Sequence, residues 1–138
     1  MINETILNKK ISVERCIVQV EKYYAMPSDT PFHENYLIQD AIAMNLQRMG
    51  ELAIDIANYL IKKKKLGLPQ DSADAFELLH RAGLISKELM NNMKGMVGFR
   101  NIVVHEYQKL DLDIMVDVIE HHLNEPLEFA NLALRIME

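Results

Sequence analysis

The sequence predicts an all-α protein, an up-and-down bundle of four main helices plus one short one. Three observations carry this. Apolar residues recur three, four and seven positions apart along most of the 138-residue chain, as in helices with one buried face. Glycine and proline are scarce, at five and four, which disfavours a β fold with many turns. Hydrophobic residues make up 49%, enough for a core and too many for global disorder. The length fits one helical domain over residues 1–138, with no repeat, low-complexity tract or linker to divide it.

Residues 3–25 form the first helix, with Ile6, Val13, Ile17, Val20 and Tyr24 inward and Lys9, Lys10, Glu14, Arg15, Glu21 and Lys22 outward. Pro27 and Pro31 stop it, because proline blocks helix continuation. A second helix is expected over residues 32–66, with Ile38, Ile42, Asn45, Met49, Leu52, Ile56 and Leu60 in one stripe. At 1.5 Å per residue it is a rod of roughly 50 Å and the spine of the fold. Gly67 is expected to supply its left-handed cap, with Pro69 beyond. Asp71 or Ser72 caps a short third helix over 73–82, closed by Gly83. Ser86 caps a fourth, running from Lys87 towards Val103, with Leu89, Met93, Met96, Val97 and Arg100 on its inner face. Gly95 and Gly98 on it point to close approach by a neighbouring helix. The pattern breaks at Gln108-Lys109-Leu110. Asp111 then caps a fifth helix whose inner face is Ile114, Met115, Val118, Ile119, His122, Leu123, Leu127, Ala130, Ala133 and Ile136. Pro126 should kink or break that helix.

Composition narrows the function. The net charge of −5 argues against sequence-blind coating of nucleic acid, which needs a basic protein, but leaves room for a small local basic site. Lys62, Lys63, Lys64 and Lys65 are the one cationic run, either complementing a helix C-terminus or touching RNA phosphates. Cys16 is the sole cysteine, set among apolar residues as a buried thiol. The first ten residues lack the apolar run of a signal peptide, and no stretch approaches the ~20 apolar residues of a membrane span. The expectation is a cytoplasmic protein with no membrane partner.

Glu77-x-x-His80 has the spacing of a di-iron ligand pair, but no second such pair exists, so neither a metal nor another cofactor is expected. His121 and His122 are expected to be one solvated and one half-buried residue, and His33 to be exposed. Glu51, midway along the second helix, is either an ordinary surface carboxylate or a support that orients Arg100.

Usable chemistry is concentrated in Gly98-Phe99-Arg100-Asn101-Ile102-Val103-Val104-His105-Glu106-Tyr107. Histidine transfers protons in both directions near neutrality. Arginine offers a fork of donors suited to phosphate oxygens. Asparagine can orient the imidazole or bind phosphate. Cleavage of RNA by its own 2′-hydroxyl needs a base, an acid and cationic support, and no metal in principle. In a regular helix Arg100 and His105 point about 140° apart, whereas Asn101 and His105 share a face. Joint action therefore requires the helix to end or distort between them, or a second subunit to complete the site. The break near Gln108 favours the first. On spacing alone, a salt-bridged arginine and a hydrogen-bonded histidine remain the ordinary alternative.

The stretch resembles the Arg-x4-His signature of the HEPN superfamily. Its form here, Arg100-Asn101-x3-His105-x-Tyr107, is similar to that of the HepT toxins, and the helical layout agrees across nearly the whole chain. The resemblance implies a homodimer with two motifs facing each other in a composite cleft. It implies metal-independent endoribonuclease activity on RNA, with Arg100 and His105 as the catalytic pair and Asn101 in support. It also implies a cognate MNT-type nucleotidyltransferase antitoxin that silences the toxin by transferring AMP to Tyr107. The competing readings are a non-catalytic substrate- or nucleotide-binding partner of a nucleotidyltransferase, and a plain structural bundle.

Overall fold

The computed structural model describes residues 1–138 and holds helices joined by turns, with no strand. Helix α1 (Glu4–Tyr24) begins at Asn3, whose side chain accepts from the Ile6 N–H. The expected second helix starts later than its apolar pattern implied. A 3₁₀ turn (Phe32–Glu34) comes first, and α2 (Tyr36–Lys64) starts after Asn35. Two side-chain bonds enforce the split: Asn35 accepts from the Ile38 N–H at 3.2 Å, and Gln39 donates to the Phe32 carbonyl at 2.8 Å.

The far end of α2 also departs from expectation. Lys65 itself, not Gly67, takes the left-handed capping conformation, at φ 55°. The Leu66 N–H then bonds back to the Ile61 carbonyl at 3.0 Å, closing the last turn. Gly67, at φ 116°, only redirects the chain beyond the cap. Helix α3 (Ser72–Arg81) is capped by Asp71, and α4 (Lys87–His105) by Ser86. The expected last helix is broken in two. Helix α5 (Leu112–Asp117), capped by Asp111, runs into a π turn (Val118–His122), and α6 (Glu125–Ile136) follows. Pro126 sits in the first turn of α6, where its missing N–H does no harm. His122 holds the π turn from one side, with Nδ1 2.7 Å from Glu125 and Nε2 3.3 Å from Asp117, while His121 is exposed.

Helix α2 is the spine. It packs against α1, α3, α4 and α6 and joins two hydrophobic clusters. One gathers α3, α6 and the adjoining ends of α1, α2 and α4. The other gathers the opposite ends of those three with α5 and the π turn. Cys16 is buried in the second, and burial pushes its thiol pKa up, opposed by Arg48 and Arg15. Two inner-face expectations change. Ile114 is exposed, and Phe129, absent from the expected face, is fully buried. No atom comes within 4 Å of where a side chain would start at Gly95 or Gly98, and both border an open groove facing Ile114, Asp117 and His122, so the close helix approach expected there is missing.

Phe129 meets Phe76 edge-on, with centroids 5.2 Å apart and planes at 69°. Phe129→Ala should cost about 3–5 kcal/mol, since both rings are fully enclosed. Urea denaturation measures this, and a loss below about 1 kcal/mol would show that the site collapses around the deletion.

Candidate active site

Helix α4 is regular through His105. The α-helix ends only at Glu106, with φ −141° and ψ 41°, and a 3₁₀ turn (Tyr107–Lys109) follows. The helix therefore neither ends nor distorts between Arg100 and His105, which removes the first way of bringing them together in one chain. Its inner face is seated by Leu89, Met93, Met96, Val97, Phe99 and Val103. Arg100 lies at the edge of that face. Asn101 and His105 are exposed and make no side-chain hydrogen bond within the chain. Asn101 consequently does not orient the imidazole here.

Arg100 is held by α2. A Cβ added to Gly50 would lie 3.0 Å from Arg100 Cβ and 3.1 Å from its Cγ, so the glycine lets the arginine stem lie close against the α2 backbone, and any larger residue would push it away by a few tenths of an ångström. Its Nε is buried with no hydrogen-bond partner, and no carboxylate lies within ion-pair distance. A buried donor left unpaired is costly and uncommon. The salt-bridged structural arginine is thus absent, and this guanidinium is free to take an anion.

Glu51, next to Gly50, does not serve Arg100. It accepts from Gln47 at 3.0 Å and faces a cleft between α1 and α2 that also holds Arg15 and Arg48. The lysine run is not brought to the motif either. Helices α2 and α4 are antiparallel, because Gly50 meets Arg100 and Asp40 meets Tyr107. Lys62–Lys65 therefore lie about 18–22 Å along α2 from Gly50, on the side away from His105. Of the Glu77-x-x-His80 pair, Glu77 meets Lys94 at 2.6 Å and His80 Nδ1 meets the Ile85 carbonyl at 2.9 Å.

Tyr107 is turned onto α2 by the 3₁₀ turn, where the Leu110 N–H bonds to the Tyr107 carbonyl at 3.0 Å. Its hydroxyl donates to Asp40. The two residues share a cavity of about 240 Å³ with Ala43, Met44, Gln47 and Val103. Burial, then the bond to Asp40 and its charge, push the phenol pKa up to about 12. Asp40 escaped sequence reasoning because it lies 67 positions from Tyr107 in an otherwise ordinary helix. Gly50 carried a usable signal, since glycine inside a long helix costs about 1 kcal/mol and calls for a packing reason.

The sequence profile of the family described as "Ribonuclease HepT-like" matches residues 13–133. The chain belongs to this HepT-like family. It is 43% identical over 129 residues to the mRNA nuclease HepT of Shewanella oneidensis, covering 94% of this chain and 96% of that one. It is 33% identical over 66 residues to the tRNA nuclease HepT of Aphanizomenon flos-aquae, covering 48% and 45%. The solved structure of the tri-AMPylated Shewanella oneidensis HEPN toxin in complex with MNT antitoxin superimposes with a TM-score of 0.87, at 43% identity and coverage of 94% and 96%. The cytosolic protein YutE of Bacillus subtilis shares the fold alone, with a TM-score of 0.77 at 14% identity.

In this HepT-like chain a spectrophotometric titration should show one tyrosine ionising near pH 12. The neutral phenol is the form the fold favours. Its contribution to stability is therefore complete below the ordinary tyrosine pKa of about 10 and disappears as pH rises through the folded value. Asp40→Asn should return that midpoint towards about 10. An unchanged titration would show that the carboxylate does not act on the phenol.

Proposed function

We propose that this HepT-like chain, residues 1–138 working as one unit, is an endoribonuclease toxin that acts in the cytoplasm as a homodimer. The observation that carries this is the state of α4. Arg100 is buried at its base with an unpartnered Nε, while Asn101 and His105 stand open on a face about 100–140° away. One chain does not converge Arg100 and His105 on a single phosphate. A second copy that packs its own α4 against this exposed face does, and the open positions at Gly95 and Gly98 leave room for such an approach.

In the composite cleft His105 takes the proton of an RNA 2′-hydroxyl, and that oxygen attacks the adjacent phosphorus. The 5′-oxygen leaves and receives a proton from the partner subunit's His105. The products are a 2′,3′-cyclic phosphate and a free 5′-hydroxyl. Arg100 stabilises the charge that develops on the phosphate oxygens, and Asn101 supports the phosphate. Every group needed for this route is a side chain, so it proceeds without a metal.

Silencing fits the same geometry. Tyr107 lies two residues past His105. An AMP unit transferred to it by an MNT-type nucleotidyltransferase antitoxin would bring bulk and negative charge to the mouth of the cleft. The Shewanella relative, seen tri-AMPylated in complex with an MNT antitoxin, supports that partner and that modification. The relatives named for mRNA and for tRNA cleavage support RNA as the substrate class.

Unmodified protein incubated with mRNA and total tRNA in EDTA should cleave RNA and leave 2′,3′-cyclic ends. His105→Ala should lower the rate about 10²–10⁴-fold, as expected on removing a general acid–base. Equal cleavage by wild type and variant would remove His105 from the chemistry. No cleavage by either, with intact mass showing bare Tyr107, would favour a non-catalytic nucleotide-binding partner.

A further inference from the structure

The Tyr107 hydroxyl is the atom that must become a nucleophile if AMP is transferred to it, and its immediate partner belongs to a different helix. Asp40 is one turn into α2 and accepts the phenolic proton. Both residues are solvent-accessible, with Tyr107 39% exposed, so a phosphoryl donor can reach the oxygen while its proton is directed to Asp40. The cavity they share is lined otherwise by Ala43, Met44, Gln47 and Val103. Among these residues from α2, α4 and the 3₁₀ turn, only Asp40 and Tyr107 are ionisable. His105, Glu106 and Lys109 are exposed along the same chain segment and do not hydrogen-bond to the phenol.

We propose that Asp40 is the proton acceptor for nucleotidyl transfer to Tyr107, a residue of the toxin that takes part in its own silencing. The inference rests on the modification of Tyr107 proposed above. The phenol oxygen forms a bond to the α-phosphorus of a nucleoside triphosphate. The bond from that phosphorus to the bridging oxygen breaks, and pyrophosphate departs with the electron pair. The phenolic proton passes to the Asp40 carboxylate and from there to solvent.

The need for an acceptor follows from the chemistry of the phenol. Held protonated well beyond the ordinary tyrosine range, it offers almost no phenolate near neutral pH. Attack must then be concerted with proton removal, and the acceptor has to lie within hydrogen-bond reach of the oxygen. Asp40 already does. The same pairing makes the first transfer different from any later one, since a nucleotide added to an earlier nucleotide uses a ribose hydroxyl as nucleophile, and that hydroxyl lies away from Asp40.

The test follows label from radiolabelled ATP into the chain with an MNT-type nucleotidyltransferase, comparing wild type, Asp40→Asn, Asp40→Glu and Tyr107→Phe. Asp40→Asn should slow the first transfer about 10²-fold or more, in the range typical of a removed general base. The ratio of wild-type to Asp40→Asn rates should narrow as pH rises from about 7 to about 9, because hydroxide and free phenolate then replace the missing acceptor. A ratio cancels the transferase's own pH dependence. Asp40→Glu, which keeps a carboxylate, should recover a large part of the rate, whereas a merely structural role would give neither the pH trend nor the rescue.

A wild-type rate in Asp40→Asn, or a slow rate whose ratio stays constant with pH, overturns the role of Asp40 while leaving Tyr107 as the modified residue. Wild type that takes up no label, or Tyr107→Phe labelled as well as wild type, overturns the modification reading itself. The fold of Asp40→Asn is checked by its thermal melt, and an exposed position in an intact helix should hold its midpoint.

Discussion

The approach of α4 to α2 at Gly50 is the constraint on which the motif end of the molecule depends. With no side chain there, the Arg100 stem lies against the α2 backbone, and the two helices are locked in antiparallel register at that point. The register does the rest. From Gly50 back to Asp40 is about 15 Å along α2, and from Arg100 forward to Tyr107 is about 11 Å along the chain direction. The phenol side chain, swung over by the turn after Glu106, covers the remainder and reaches the carboxylate. A helix residue that costs about 1 kcal/mol in propensity thereby sets the positions of both an arginine and a tyrosine.

That geometry separates two kinds of group. Arg100 and Tyr107 are fastened to α2, one by packing and the other by a hydrogen bond. Asn101 and His105 are unfastened and face solvent. A cation with a fixed stem suits charge stabilisation, which gains from preorganisation. The free face of α4 has nothing in its own chain to hold it, and His105 acquires a defined surrounding only when another surface covers it. The overall charge of −5 does not exclude a local cationic site, since the field at Arg100 is set by its own surroundings, where no carboxylate pairs with it.

Much of this was legible in the sequence, for identifiable reasons. Ser86, Asp71 and Asp111 announced their helices because a short oxygen-bearing side chain before an apolar-periodic run satisfies the first free N–H groups. The motif residues stood out because polar groups interrupt an apolar segment. Less legible were features set by contacts distant in sequence. The Tyr107–Asp40 bond has no local signature, and Glu51 turned out to be occupied by its own helix neighbour Gln47. The left-handed cap fell on Lys65 and not on the glycine two residues later, because the 6→1 bond from Leu66 closes the turn first. Gly95 and Gly98 misled because they border an open groove where no helix comes within 4 Å of them.

The division of the interior into two clusters has a consequence for how such a chain can change over generations. Helix α3 supplies only the cluster remote from the motif, α6 supplies that cluster apart from Leu127, which packs against the other, and α5 with the π turn supplies only the one beneath the motif. Drift in α3 and α6 can raise or lower overall robustness, or fashion a new attachment surface, without shifting the Gly50–Arg100 seam. Substitutions at the α3 end are thus less tightly tied to the placement of the motif than substitutions at the α5 end.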